Sequence, residues 1–117
     1  MILDTLTKLE IVLAGAVTAN QLEVHVTYRD WNKSGVTTNP AMYRTASNST
    51  TDVTILAAPV QNPTREVMTV SIYNKDTANA TVTVKSDDGT TERIFVKQEL
   101  LTTETLTWTP DAGWFII

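Results

Sequence analysis

The sequence predicts an all-β protein, a jelly-roll-like β-sandwich of about eight antiparallel strands. Three observations lead there. Threonine is the commonest residue, roughly a fifth of the chain, and valine comes next; both are β-branched and pack well on a pleated surface. Apolar and polar residues alternate with a period of two in run after run, while no segment of any length repeats its apolar residues at helical spacing. Turn-forming residues punctuate those runs: Ser34-Gly35, Asn39-Pro40, Asn62-Pro63, Asp88-Gly89 and Asp111-Ala112-Gly113.

Taken in order, "KLEIVL" sets Leu9, Ile11 and Leu13 on one face. "QLEVHVTYRDW" sets Leu22, Val24, Val26 and Tyr28 against Glu23, His25, Thr27, Arg29 and Trp31. Residues 32–52 are polar and irregular and predict a long connection, mobile when free. "TDVTILAAP" alternates Val53 and Ile55. "EVMTVSIYN" groups Met68, Val70 and Ile72 against Val67, Thr69, Ser71 and Tyr73. "ATVTVKS" follows with Val82 and Val84, and "TERIFVKQ" with Ile94 and Val96 against Arg93, Phe95 and Lys97. Between those two, Asp88-Gly89 predicts a two-residue hairpin in a type I′ turn. "ETLTWT" contributes Leu106 and Trp108, and the apolar "GWFII" predicts a buried final strand, with Trp108 and Trp114 as core residues.

The chain of 117 residues reads as a single domain, 1–117. Residues 1–49 hold the N-terminal strands and the long polar loop, and 50–117 the best-patterned part of the sandwich. The first part has too little apolar surface to fold alone. A net charge of -4 and a pI near 4.8 argue against nonspecific nucleic-acid binding, which needs a basic surface. With no cysteine there is no disulfide framework, thiolate metal site or cysteine nucleophile. No apolar run reaches the roughly 18–20 residues of a membrane helix, so no membrane partner is expected. Asp4 and Glu10 stand where a signal peptide has a cationic start and an unbroken apolar stretch, so none is expected.

The candidate sites are few. Asp87 and Asp88, with Asp76 as a further carboxylate, suggest an oxygen-donor calcium site. The turn preference accounts for Asp88 and Gly89 and leaves one spare acid, so the expectation is a chain reversal and no metal. His25, the only histidine, shares a strand face with Glu23 and Thr27. It has no second histidine, no Gly-x-Ser-x-Gly elbow and no glycine-rich phosphate loop to work with. The expectation is therefore no enzyme and no cofactor. Arg29, Trp31, Met42, Tyr43 and Arg44 flank or enter the irregular segment. Their aromatic, arginine and methionine chemistry is that of protein interfaces, and Trp31 with Tyr43 is also the material of a sugar-stacking platform. The remaining charges, Asp30, Arg65, Glu66 and Arg93, read as surface ion pairs of small worth.

Residues 51–117 also resemble a sandwich segment of small structural proteins from tailed-bacteriophage virions. The resemblance rests on a threonine-led strand ending in Ala57-Ala58-Pro59, an Arg65-Glu66 step, a "YNKDTA" loop from Tyr73 to Ala78, the Asp-Gly-Thr hairpin and the Gly113-Trp114 final strand. "LEIVLAGAVTANQLEVHVTYRD" is similar to the opening of such proteins. The chain departs from them at "LLTTETL", where glycine commonly precedes the penultimate strand. The resemblance implies a virion localisation after assembly in the host cytoplasm, and a capsid decoration or cement subunit that stabilises the head. Its partners would be the major capsid protein and copies of itself, as a trimer on local threefold positions. Neck, tail or fibre components share these motifs. Residues 1–6 would then serve as an arm reaching a neighbour.

Overall fold

The computed structural model describes residues 1–117. Ten strands form, all paired antiparallel: β1 (Ile2–Leu3), β2 (Lys8–Leu13), β3 (Glu23–Trp31), β4 (Ala41–Ala46), β5 (Val53–Leu56), β6 (Thr64–Tyr73), β7 (Ala80–Asp87), β8 (Glu92–Leu100), β9 (Thr105–Thr109) and β10 (Gly113–Ile116). They make two facing sheets. The first runs β10-β9-β6-β3-β4, with β1 also paired to β6; the second runs β5-β2-β7-β8. Hairpins join β3 to β4, β7 to β8 and β9 to β10 within a sheet, whereas the β1–β2, β2–β3, β4–β5, β5–β6, β6–β7 and β8–β9 connections cross between sheets. That repeated crossing closes the strands into a β-sandwich. The core lies between the sheets: Leu9, Ile11, Leu13, Ile55, Val82 and Val84 from the second face Leu22, Val24, Val26, Val67, Val70, Ile72 and Leu106 from the first.

Two strands were not expected. β1 folds onto β6, with Leu3 buried in the core and the amide of Val67 donating to the Met1 carbonyl at 2.8 Å. Residues 1–6 are thus not a free arm, because Leu3 is worth more to the core than to solvent. β4 lies within the segment expected to be an irregular, mobile connection. Nearly every residue of β4 is exposed, so its sequence carries no alternation to read. Side chains order what surrounds it. Asn32 Oδ1 accepts the amides of Ser34 and Val36, closing a turn through Gly35 at φ +77°. Gln21 Oε1 accepts from Ser47 Oγ at 2.7 Å and from the amide of Ser49 at 2.9 Å, which clips the far end.

Three β-bulges shift the alternation. Tyr28 pairs with Val67 while Thr27 pairs with Thr69, so Met68 is the extra residue of β6. Val67 is buried as a result, and the expected grouping of Met68 with Val70 and Ile72 fails at that residue. Likewise Val84 pairs with Val96 but Lys85 with Ile94, which makes Phe95 the extra residue of β8. Ile94 then follows Lys85 to the outer face and is 67% exposed, against the expectation that it shares the face of Val96. A third shift sits between Leu9 and Glu10 against β5.

The end of the sandwich at the β6–β7 connection is held by polar groups. Asn74 is fully buried; its Nδ2 donates to the carbonyls of Ala78 and Leu100, each at 3.0 Å, and its Oδ1 accepts the amide of Asp76. Its carbonyl accepts the amide of Thr103 at 2.8 Å. Thr103 has φ +69°, a left-handed conformation in the same "LLTTETL" turn where glycine was noted as missing. Trp108 and Trp114 are half-buried against the core, their ring centroids 6.4 Å apart.

Two stability measurements follow. Val67→Thr lowers the free energy of unfolding by about 1–3 kcal/mol, because a hydroxyl replaces a buried methyl; Met68→Thr costs less. Urea titrations of both variants check the order, which an unbulged β6 would reverse. Thr103→Gly raises stability by up to about 1 kcal/mol, since relief of the left-handed backbone outweighs the added freedom of the unfolded chain.

Candidate interaction surfaces and side-chain clusters

Cross-strand partners share a face, so register places every interface candidate. Thr27 pairs with Met42 and His25 with Arg44. Arg29 and Trp31 continue the outward row of β3. Arg29, Trp31, Met42 and Arg44 therefore lie on the outer face of the first sheet. Tyr43 does not join them: it pairs with buried Val26 and so points toward the second sheet's side, exposed because β4 is an edge strand.

Trp31 is engaged at home. Its indole Nε1 donates to Glu66 Oε2 at 3.1 Å, and the same oxygen accepts from Arg29 Nε. The Arg29 guanidinium lies 5.5 Å from the Trp31 ring centroid. The Arg29 hydrogen bond, then the Trp31 one, hold the Glu66 carboxyl below its usual pKa. With its ring beside Arg29 and Tyr43 on the other face, Trp31 forms no stacking platform with Tyr43.

On the inward side of the same strand pair, Arg65 grips Asp30 with two hydrogen bonds, at 2.8 and 3.1 Å, and donates a third to the carbonyl of Ala57 at 2.8 Å. Its guanidinium lies over the Tyr28 ring, 4.5 Å from the centroid. Both side chains are mostly buried, so this pair is a structural tie rather than a surface ion pair of small worth. The Arg65 hydrogen bond lowers the Asp30 pKa. A shallow pocket of about 330 Å³ lies over this tie, between Ala57, Val60, Asn62 and Arg65.

The acids expected near one hairpin separate. Asp76 lies at the Leu13 end of β2, where its carboxylate accepts the amides of Thr18, Ala19 and Asn20 at 2.9, 2.7 and 3.0 Å. Those bonds lower its pKa to about 2, the Thr18 amide contributing most. Asp88 closes its own loop, accepting the amides of Thr90 and Thr91. The loop has four residues, 88–91, and only Gly89 has positive φ, so the expected type I′ turn is not formed. Asp87 instead meets Glu10 and Glu92, one carboxylate oxygen of each lying within 4.8 Å of the others. His25 is exposed, and its strand neighbour Glu23 is occupied by Lys75 Nζ at 2.9 Å.

Sequence reasoning missed the apolar rim at the opposite edge. Ile94 and Phe95 on β8, Leu101, and Phe115, Ile116 and Ile117 on β10 and beyond it are all exposed. On β10 the backbone phase is defined. Ile117 and Thr105 exchange both their hydrogen bonds, at 2.9 and 3.1 Å, so the N–H and C=O of Ile116 and Trp114 point away from β9. The signal was present in "GWFII", an uncharged strand ending the sheet, but was read as burial.

Asp76 makes stability pH-dependent in a defined window. Its folded pKa of about 2 lies below the ordinary 3.8, so the unfolded chain takes up the proton first and stability falls as pH drops through that interval. Asp76→Asn flattens this part of the profile and lies below the native protein at neutral pH; urea unfolding at stepped pH reads both. Comparison with protein-family models, with curated proteins and with solved structures finds no match for this chain.

Proposed function

We propose that this protein is a non-catalytic assembly subunit of a tailed-bacteriophage particle, a decoration protein that covers the head and binds the major capsid protein and its own copies. The virion part of this reading rests on the resemblance of residues 9–30 and 51–117. Its physical support is the β10 edge. Gly113–Ile116 contains no charged residue, its Trp114 and Ile116 backbone groups are unpaired, and Phe115, Ile116 and Ile117 are exposed beside them. Monomeric proteins guard such an edge with lysine, proline or a covering loop. An unguarded one pairs with a strand of another subunit, which adds backbone hydrogen bonds to apolar burial.

The outer face of the first sheet supplies a second, weaker surface. Thr27, Thr69, Thr105, Thr107 and Thr109 line it with Met42 and Arg44 at its β4 margin. Such a face packs without strong desolvation cost, and contacts of modest affinity add up when many copies bind one lattice. Arg29 and Trp31 hold the end of that face in shape through Glu66.

Light scattering across a concentration series tests the edge. The native chain self-associates, and Phe115→Lys and Ile116→Lys return it to monomer while remaining cooperatively folded in urea, each at a cost of about 0.5–2 kcal/mol because the native side chains are 37% and 38% exposed. A native chain monomeric at all concentrations, with no density in a map of the particle, ends the reading. Copy number per particle separates positions: a count on the scale of the capsid protein means head decoration, and a small ring count means neck or tail.

A further inference from the structure

The outer face of the second sheet carries a cluster that the assembly reading does not use. Register builds it. Lys8 pairs with Asp87 and Glu10 with Lys85 across β2 and β7; Asp87 pairs with Glu92 and Lys85 with Ile94 across β7 and β8. Glu10, Asp87 and Glu92 thus come from three adjacent strands, with one carboxylate oxygen of each inside a 4.8 Å span.

The lysines do not complete the cluster. Lys85 Nζ is committed to Asp52 and to Glu92 Oε2, each at 2.9 Å. Lys8 Nζ stands 3.3 Å from Glu10 Oε2 and 3.9 Å from Asp87 Oδ2, the longer distance being too great for a hydrogen bond. Four carboxylates face two ammonium groups, leaving the formal excess that one divalent cation balances. The decisive group is Glu10. It is 4% exposed and reaches into the cluster, and its Oε1 is buried without any partner. A buried carboxylate oxygen lacking a donor is costly, and a cation among the three acids removes that cost.

We propose that Glu10, Asp87 and Glu92 bind one calcium ion on the outer face of the second sheet. The donors are all oxygen, which selects a hard cation. No two of the three oxygens are more than 4.8 Å apart, and two ligands on opposite sides of one calcium ion stand about 4.8 Å apart, so the three lie within reach of a single ion after small side-chain adjustments. Calcium tolerates the irregular spacing of donors fixed by strand register, whereas magnesium demands a near-ideal octahedron at about 2.1 Å. Exposed Glu92 leaves the outward side open for water ligands and for entry of the ion. The bound ion ties β2 to the β7–β8 hairpin.

The test is thermal unfolding of the full chain, stripped with chelator, in calcium chloride, magnesium chloride and sodium chloride of matched ionic strength, with isothermal titration of calcium. Saturating calcium raises Tm by roughly 5 °C or more, with one ion per chain, and magnesium does markedly less. Glu10→Gln abolishes both the shift and the binding heat. Should Glu10→Gln fail to fold, Glu92→Gln at the exposed margin is read instead, and it weakens calcium binding by at least tenfold. The proposal is overturned by no calcium-specific shift, by an equal shift in sodium chloride, or by an undiminished shift in the variant. A calcium-insensitive chain that Glu10→Gln stabilises would show that Glu10 holds a proton instead, and would overturn it equally.

Discussion

The fold depends on how the connection from β6 to β7 disposes of its buried polar groups. Every crossing between sheets must bury some backbone, and each buried amide or carbonyl needs a partner. Asn74 supplies an amide side chain at the centre of that problem. It holds its own loop through Ala78 and Asp76, the end of β8 through Leu100, and the β8–β9 turn through Thr103. Asp76 then collects three successive amides of residues 18–20, on the approach to β3. Asn74, through its side chain and its carbonyl, and Asp76 two residues on thus fix three connections, and the strands leaving those connections are those that build the core. A donor and acceptor set this fully satisfied is specific in a way apolar packing is not, because a shifted loop loses several bonds together.

The opposite end is tied differently. There β3 and β6 run on past the bulge at Met68, and one strand pair presents a charge pair on each of its faces. Inward, Asp30 and Arg65 close the core beneath Tyr28 and reach the chain after β5 through Ala57. Outward, Arg29 and Glu66 secure Trp31. The bulge makes both possible. Without the extra residue, Val67 would face solvent and Glu66 and Arg65 would exchange faces, parting both from their partners. One residue of register therefore couples the apolar core to both ion pairs.

How much of this was legible in the sequence follows from what each signal depends on. The period-two runs that became β2, β3, β5, β6, β7 and β9 were visible because one face of each meets the core for most of its length, whereas β8 and β10 were read from alternation and apolar composition although little of either strand is buried. β4 was invisible because burial is what writes a pattern, and β4 has little. β1 is two residues long, too short for any periodicity. The bulges at Met68 and Phe95 left no mark, since an extra residue in a strand changes register without changing composition. Of the interface candidates, four proved to share one face, but only partner register reveals that Tyr43 lies on the other. Glu10 was the least legible of all: in "KLEIVL" it occupies an ordinary outward position, and its burial arises from what β7 and β8 place around it.

The four sheet edges are not equivalent, and the differences are chemical. β5 is four residues long, is offset by a bulge, and runs toward Pro59, so it offers little ladder to a second chain. β4 carries Arg44 among its exposed residues. β8 places Glu92, Arg93, Lys97 and Glu99 around its apolar centre and is broken there by the Phe95 bulge. Charge, shortness and bulging are the means by which strand edges are kept from pairing. β10 has none of the charge, has no bulge, and ends in three exposed apolar residues. Where three edges carry devices against pairing and the fourth carries none, the asymmetry gives association a direction. In the assembly proposed above, a subunit with one open edge would join a neighbour through that edge and leave its broad threonine-lined face free to lie on another surface.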